Sequence, residues 1–321
     1  MNLMTRSVAT GGILALIACS APAAASAAEP QETTNILQAI SDATSDSTAS
    51  LEKPLADRAP QNKVADSSVV NGVEIEVPAR SADLLRLDAS IGGEISVQLP
   101  FPDEASAATE IGDGLSAYDN GNGSHTVPIV KSDGAVQITA VIENKSAPVA
   151  YNYDFVLPEG GRIEPLENGA AILLDANDAF LGGVAPAWAK DANGGEVATH
   201  FEVEGSSLIQ VVEHDASTPY PVIADPYLGV QMVQGVYWEK RDPRGLTLSV
   251  IPTAGGRAFG GAYLAGVGGW PEVEGRVGNQ SVQMEWQYIC HHQFAFLKET
   301  YNLDTWVTRN SYADSVANGC N

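Results

Sequence analysis

The sequence predicts a mainly β protein: an antiparallel β-sandwich followed by a small, disulfide-stapled, β-rich (α+β) domain. Three observations carry this. Short runs of alternating apolar and polar residues recur from about residue 69 and are punctuated by Asn71-Gly72, Asp133-Gly134, Asn168-Gly169 and Asn193-Gly194. Such pairs supply the positive φ angles of tight hairpins. No long helical period and no strand–helix–strand alternation accompanies them, which favours antiparallel pairing. The chain holds three cysteines, Cys19, Cys290 and Cys320, and the last two fall in an aromatic-rich tail.

Residues 1–27 read as an export signal. Arg6 supplies the positive start, Gly12–Ala18 is apolar, Pro22 breaks the run, and Ala25-Ser26-Ala27 offers small residues for cleavage after Ala27. The apolar run is too short to span a bilayer stably. Leu16-Ile17-Ala18-Cys19 also reads as a lipobox, with Cys19 lipidated. Soluble secretion and a lipid anchor at the cell surface are therefore both open, and membrane association is expected only with lipidation of Cys19. Either way the protein is extracellular. Residues 28–68 are polar and poor in aromatics, which predicts a flexible linker, with Ile36, Leu37 and Ile40 forming at most one helical turn.

Residues 69–228 form the expected sandwich. Its runs include Val73–Val77, Glu94–Leu99, Ala135–Ile142, Tyr151-Tyr153-Phe155, Ala170–Leu174, Glu196–Val203 and Leu208–Val212. Charge divides unevenly. Residues 1–228 carry 32 acidic and 10 basic side chains, net −22, whereas residues 229–321 carry 8 and 7, net −1, and hold 12 of the 22 aromatics. The acidic part favours solubility and repels nucleic acid and anionic lipid. Asp119–Gly123 and Asp175–Asp178 are acidic enough to suggest calcium, but neither has EF-hand spacing, and both read as turns.

Residues 229–321 form the expected C-terminal domain. Val230–Trp238 and Leu246–Ile251 read as strands around the charged turn Glu239–Gly245. Seven glycines between Gly255 and Gly269 oppose a helix, although Ala258, Phe259, Ala262, Tyr263 and Ala265 allow a short one packed closely on a sheet. No phosphate-binding loop is indicated, because Gly255-Gly256-Arg257 lacks the following Lys-Ser/Thr. Trp286, Tyr288, Cys290, His292, Phe294 and Phe296 share one parity, which predicts a strand. On a strand, His291 and His292 would face opposite ways, so a metal site built from them and the cysteines is disfavoured. An exported cysteine pair is usually bridged, and a Cys290–Cys320 bond would contribute about 3–4 kcal/mol on the chain-entropy model.

Two stretches resemble known modules. Ala185-Pro186-Ala187-Trp188-Ala189-Lys190-Asp191-Ala192, with the following Thr199–Val203, Val211–His214 and Tyr220–Pro226, resembles a module of exported actinobacterial proteins. Cys290-His291, Tyr301-Asn302-Leu303-Asp304-x-Trp306 and Asn318-Gly319-Cys320 resemble a small actinobacterial domain family of unknown function. The resemblances imply source and export but no chemistry.

No catalytic constellation, cofactor motif or metal-ligand spacing is found. His200 and His214 read as hydrogen-bonded structural histidines. Candidate binding residues are Trp286, Tyr288, His291, Tyr301, Asp304 and Trp306, since tyrosine and tryptophan are favoured anchors for partners. Two classes of function remain. One is a non-enzymatic binding module for an extracellular protein or cell-wall carbohydrate. The other is a secreted effector, a small hydrolase or antagonistic toxin carried by the upstream module.

Overall fold

The computed structural model describes residues 30–44, 64–112, 114–259 and 261–321. The expected signal segment, with Cys19 and Ala27, lies outside the described residues. Helix α1 (Pro30–Thr44) comes first. The strands of the first unit are β1 (Val64–Val70), β2 (Val73–Pro78), β3 (Leu84–Ala89), β4 (Glu94–Gln98), β5 (Thr109–Gly112), β6 (Leu115–Asp119), β7 (Ser124–Val130), β8 (Val136–Ile142), β9 (Ala150–Val156), β10 (Arg162–Pro165), β11 (Ala171–Leu174), β12 (Phe180–Val184), β13 (Trp188–Lys190), β14 (Thr199–Glu204), β15 (Ser207–Val212), β16 (Val222–Asp225) and β17 (Tyr227–Gly229). The C-terminal unit has β18 (Val233–Asp242), β19 (Gly245–Pro252), α2 (Ala254–Phe259), α3 (Ala262–Leu264), a π-turn (Ala265–Gly269), α4 (Trp270–Val277), α5 (Val282–Phe294), β20 (Tyr301–Asp304) and α6 (Tyr312–Ala317).

The first unit is an antiparallel sandwich, as the alternation predicts. One sheet runs β1-β2-β3-β4-β9-β15-β14. The other runs β10-β11-β12-β17-β8-β7-β6-β5, with β16 joining β8 to β13. Inward residues of the first sheet, such as Ile75, Leu87, Val97, Tyr153 and Leu208, meet Val136, Ile138, Leu173 and Ala224 of the second. Asn71 (φ 51°) and Gly72 (φ 78°) form the tight turn between β1 and β2, placing Val70 opposite Val73.

The linker expectation for 28–68 needs correction at both ends. Helix α1 occupies Pro30–Thr44, β1 begins at Val64, and residues 45–63 lie outside the described residues. Ile36, Ile40 and Ala43 recur at helical spacing and are buried on the outer face of the second sheet, against Ile111, Val127, Ile129, Val141 and Ile223. Strands β7 and β8 are consequently buried along their whole length.

The strand expected across Trp286–Phe296 is instead helix α5. Its buried residues Met284, Gln287, Tyr288, His291 and His292 fall at i, i+3, i+4, i+7 and i+8, the period of a helix face. The alternation of aromatics hid this because Gln287 and His291 read as solvent-facing. Ser281 caps the helix by accepting from the Met284 amide at 3.3 Å. The Cys290–Cys320 disulfide therefore ties the chain end to a helix rather than to a sheet, with a Cα–Cα distance of 5.3 Å.

The glycine-rich stretch does form short helices in close contact with their neighbours. A Cβ on Gly256 would stand 2.4 Å from the Met232 carbonyl oxygen, and one on Gly269 would stand 2.0 Å from the Tyr288 hydroxyl. The two units meet through Met232, Phe259 and Leu264, which pack with Ile172, Leu174 and Phe180 of the sandwich. The buried Glu272 carboxylate accepts from the Met232 and Val233 amides at 2.8 and 2.9 Å, fixing the chain where it passes from one unit to the other.

Candidate functional site

The three-stranded sheet β18-β19-β20 has two unlike faces. The register aligns Val236, Val250 and Tyr301 in one row, and Trp238, Leu248 and Leu303 in another. These rows face the helices, where Leu248, Val250, Tyr301 and Leu303 are buried with Trp270, Val273, Met284 and Tyr288. Successive side chains on a strand point to opposite faces. The alternate rows, Tyr237–Ser249–Asn302 and Glu239–Thr247–Asp304, therefore share the other face.

That second face is a hydrogen-bonded polar array. The Ser249 hydroxyl lies between the Glu239 carboxylate and Asn302 Oδ1, the latter at 3.0 Å. Thr247 donates to Asp304 Oδ1 at 2.7 Å. Arg241 Nε contacts Glu239 Oε1 at 2.7 Å, and Tyr237 is 44% exposed beside them. At the hairpin end, Arg244 grips Asp242 with two 2.8 Å bonds and stands over the Trp306 ring, 5.2 Å from its centroid. Gln287 of α5 positions Asp304 from behind. Its amide accepts from Asp304 N at 2.8 Å and donates to Asp304 O at 3.1 Å, completing the sheet edge.

The electrostatics limit the chemistry available here. The Arg241 hydrogen bond, followed by that of Ser249, holds the Glu239 carboxyl below its usual range. Asp242 is likewise lowered to about 2 by Arg244. A carboxylate held ionised in this way is a poor general acid and a weak base. The Ser249 hydroxyl is engaged by a carboxylate rather than by a histidine. His291 and His292 lie in the core behind the sheet, each 1% exposed. His291 Nδ1 bonds the Gln287 carbonyl at 2.8 Å, and His292 Nε2 bonds the Gly256 carbonyl at 2.6 Å. Burial lowers the pKa of both, that of His292 to about 4. Each ring thus spends one nitrogen on a separate backbone carbonyl. Among the described residues, no three His, Cys, Asp or Glu side chains converge as metal ligands.

The six residues singled out in the sequence divide. Asp304 lies on the polar face and Trp306 at its rim. Tyr288, His291 and Tyr301 are buried in the core, so they are not surface anchors, and Trp286 is half-buried on α5. Tyr301 stacks on His291 with ring centroids 5.8 Å apart. Tyr237, Glu239, Arg241, Thr247, Ser249 and Asn302 were not anticipated. The parity of Tyr237, Glu239 and Arg241 was readable in the sequence, but nothing there brings it opposite Asn302 and Asp304.

Elsewhere, both acidic turns spend their carboxylates on their own backbone. Asp119 Oδ1 accepts from Gly121 N, and Asp175 Oδ1 accepts from Asn177 N and Ala179 N. His214 bonds Tyr220 and the Pro148 carbonyl, as expected of a structural histidine, while His200 is an exposed neighbour of Glu202.

Neither a curated protein nor a solved structure matches the chain. Residues 233–321, from the start of β18 to the end of the chain, match a family model described as a protein of unknown function, DUF2599. The polar face, its supporting helices and the disulfide all fall inside that match.

Proposed function

We propose that this is an exported, non-enzymatic protein whose C-terminal unit binds cell-wall carbohydrate through the polar face of β18-β19-β20. The observation that carries this reading is the pair of aligned rows, Tyr237–Ser249–Asn302 and Glu239–Thr247–Asp304, rimmed by Arg241 and the Arg244–Trp306 pair. Carboxylate and amide groups, oriented over the buried Thr247 and Ser249 hydroxyls, suit a polyhydroxylated ligand. Exposed aromatic rings supply flat apolar area for the faces of sugar rings. The net charge of −22 on the first 228 residues disfavours polyanions and leaves neutral glycan as the better match. Export rests on the signal-like residues 1–27, with cleavage after Ala27 or lipidation at Cys19 deciding between release and anchorage.

The effector reading draws on one observation, the two carboxylates Glu239 and Asp304 in a single row across Thr247. It is the weaker reading because the Glu239 carboxylate is already engaged by Arg241 and the Ser249 hydroxyl, which makes it a poor nucleophile or base. Sedimentation of the purified protein with insoluble cell-wall polysaccharide tests the proposal. Tyr237→Ala and Asn302→Ala should each weaken binding by about tenfold, equivalent to about 1.4 kcal/mol, with unchanged melting. Unchanged binding in both variants would sink it, and release of soluble sugar would favour the hydrolase.

A further inference from the structure

The chain contains two Asp–Pro bonds, Asp225–Pro226 and Asp242–Pro243, and the fold treats them oppositely. Asp242 lies in the β18–β19 turn with both carboxylate oxygens bonded by Arg244. Asp225 ends β16 and is 1% exposed. Its backbone pairs with Trp188 of β13, and its Oδ1 has no hydrogen-bond partner. Lys131, just beyond β7, and Gln137 of β8 favour the ionised form of Asp225, but burial outweighs both and pushes its pKa up. The far side of the bond is clamped. The Pro226 carbonyl accepts from Ile138 N at 2.9 Å, and β17 pairs with β8 and β12.

An aspartyl carboxyl reaches the carbonyl carbon of its own residue through a five-membered ring, so the attack is intramolecular and needs no second side chain. The leaving nitrogen of proline belongs to a tertiary amide with no N–H. We propose that Asp225–Pro226 is a self-processing site at which the Asp225 carboxyl cleaves the peptide bond that follows it. A carboxyl oxygen bonds to the Asp225 carbonyl carbon while the carboxyl proton passes to the Pro226 nitrogen. The C–N bond breaks, leaving a cyclic anhydride on Asp225 and a free secondary amine on Pro226. One water molecule opens the anhydride and restores two carboxyl groups, so the net change is hydrolysis of one peptide bond. The buried Asp225 carboxyl, in its protonated form, carries both the nucleophilic oxygen and the proton and has an oxygen free to attack, whereas both Asp242 oxygens are held by Arg244. The cut falls just before residue 233, where the family match begins. It converts a covalent link between the units into a non-covalent one held by β17.

The test incubates the folded, full-length protein from acidic to neutral pH and follows it by denaturing gel and intact mass. The expected product is a fragment beginning at Pro226, absent from both Asp225→Ala and Pro226→Ala, while Asp242–Pro243 in the same sample stays intact. Pro226→Ala retains the acid and replaces the tertiary amide by a secondary one, whose nitrogen is the poorer leaving group, so the test survives if Asp225→Ala misfolds. The proposal is overturned if the folded chain gives no such fragment, if the cut persists in Asp225→Ala, or if both Asp–Pro bonds break at the same rate, as simple acid lability would produce.

Discussion

The sandwich and the C-terminal unit reach stability by different means. The sandwich closes two sheets on one large apolar core, and its second sheet is also covered from outside by α1. The C-terminal unit has only three strands, covered on one face by short helices around a smaller core. It adds a disulfide, glycines that let backbone and rings approach closely, and a buried carboxylate at its entrance. A small core rarely holds a fold alone and relies on such staples. The comparison teaches that the unit with less interior is the one in which single residues matter most, and that the second face of its sheet is built from hydrogen-bonded polar side chains rather than an apolar core.

The sharpest way to break the comparison is Cys320→Ser. Loss of the bridge should cost the C-terminal unit about 3–4 kcal/mol and speed hydrogen exchange across residues 284–321, while residues 69–228 stay protected. Equal loosening of both units would show that they do not have separate cores.

Next comes Gly269→Ala. The added Cβ would meet the Tyr288 hydroxyl at 2.0 Å, and overpacking of this kind costs about 1–3 kcal/mol. Chemical denaturation should show the loss, and Gly269→Ala with Tyr288→Phe should recover part of it.

A smaller effect follows from Glu272. Burial raises its pKa to about 8 despite the two backbone amides and Arg276, which oppose the shift. The folded unit therefore binds this proton more tightly than the unfolded chain, so the contribution of Glu272 to stability falls as pH rises from about 4.5 towards about 8. His292 works in the opposite sense. Its pKa is lowered from 6.5 to about 4, so its contribution falls as pH drops through that window. Glu272→Gln should remove the decline on the alkaline side and leave the acid-side loss. Unfolding curves across this pH range check it, and an unchanged alkaline slope would reject the assignment.

The smallest effect on stability is expected on the polar face. Tyr237→Ala should change stability by less than about 0.5 kcal/mol, which is what lets it report on binding alone. A larger loss would mean that the face belongs to the core.

Much of this was decided by the sequence alone. Asn-Gly and Asp-Gly pairs between alternating runs determined the β class and several hairpins, because few residues other than glycine tolerate the required φ angles. Two cysteines in the tail beyond Cys19 determined the bridge. Tertiary structure decided the rest. Residues 284–296 carry aromatics at both even spacing and helical spacing, and the helix prevails because Gln287 finds the Asp304 backbone and His291 finds a carbonyl. Ile36, Leu37 and Ile40 looked like an isolated turn in a polar stretch, since the apolar face that Ile36 and Ile40 cover is assembled from strands much later in the chain. The polar face was illegible for the same reason. Its rows join β18 to a strand some sixty residues later, and a pattern within one strand does not name the strand that will lie beside it.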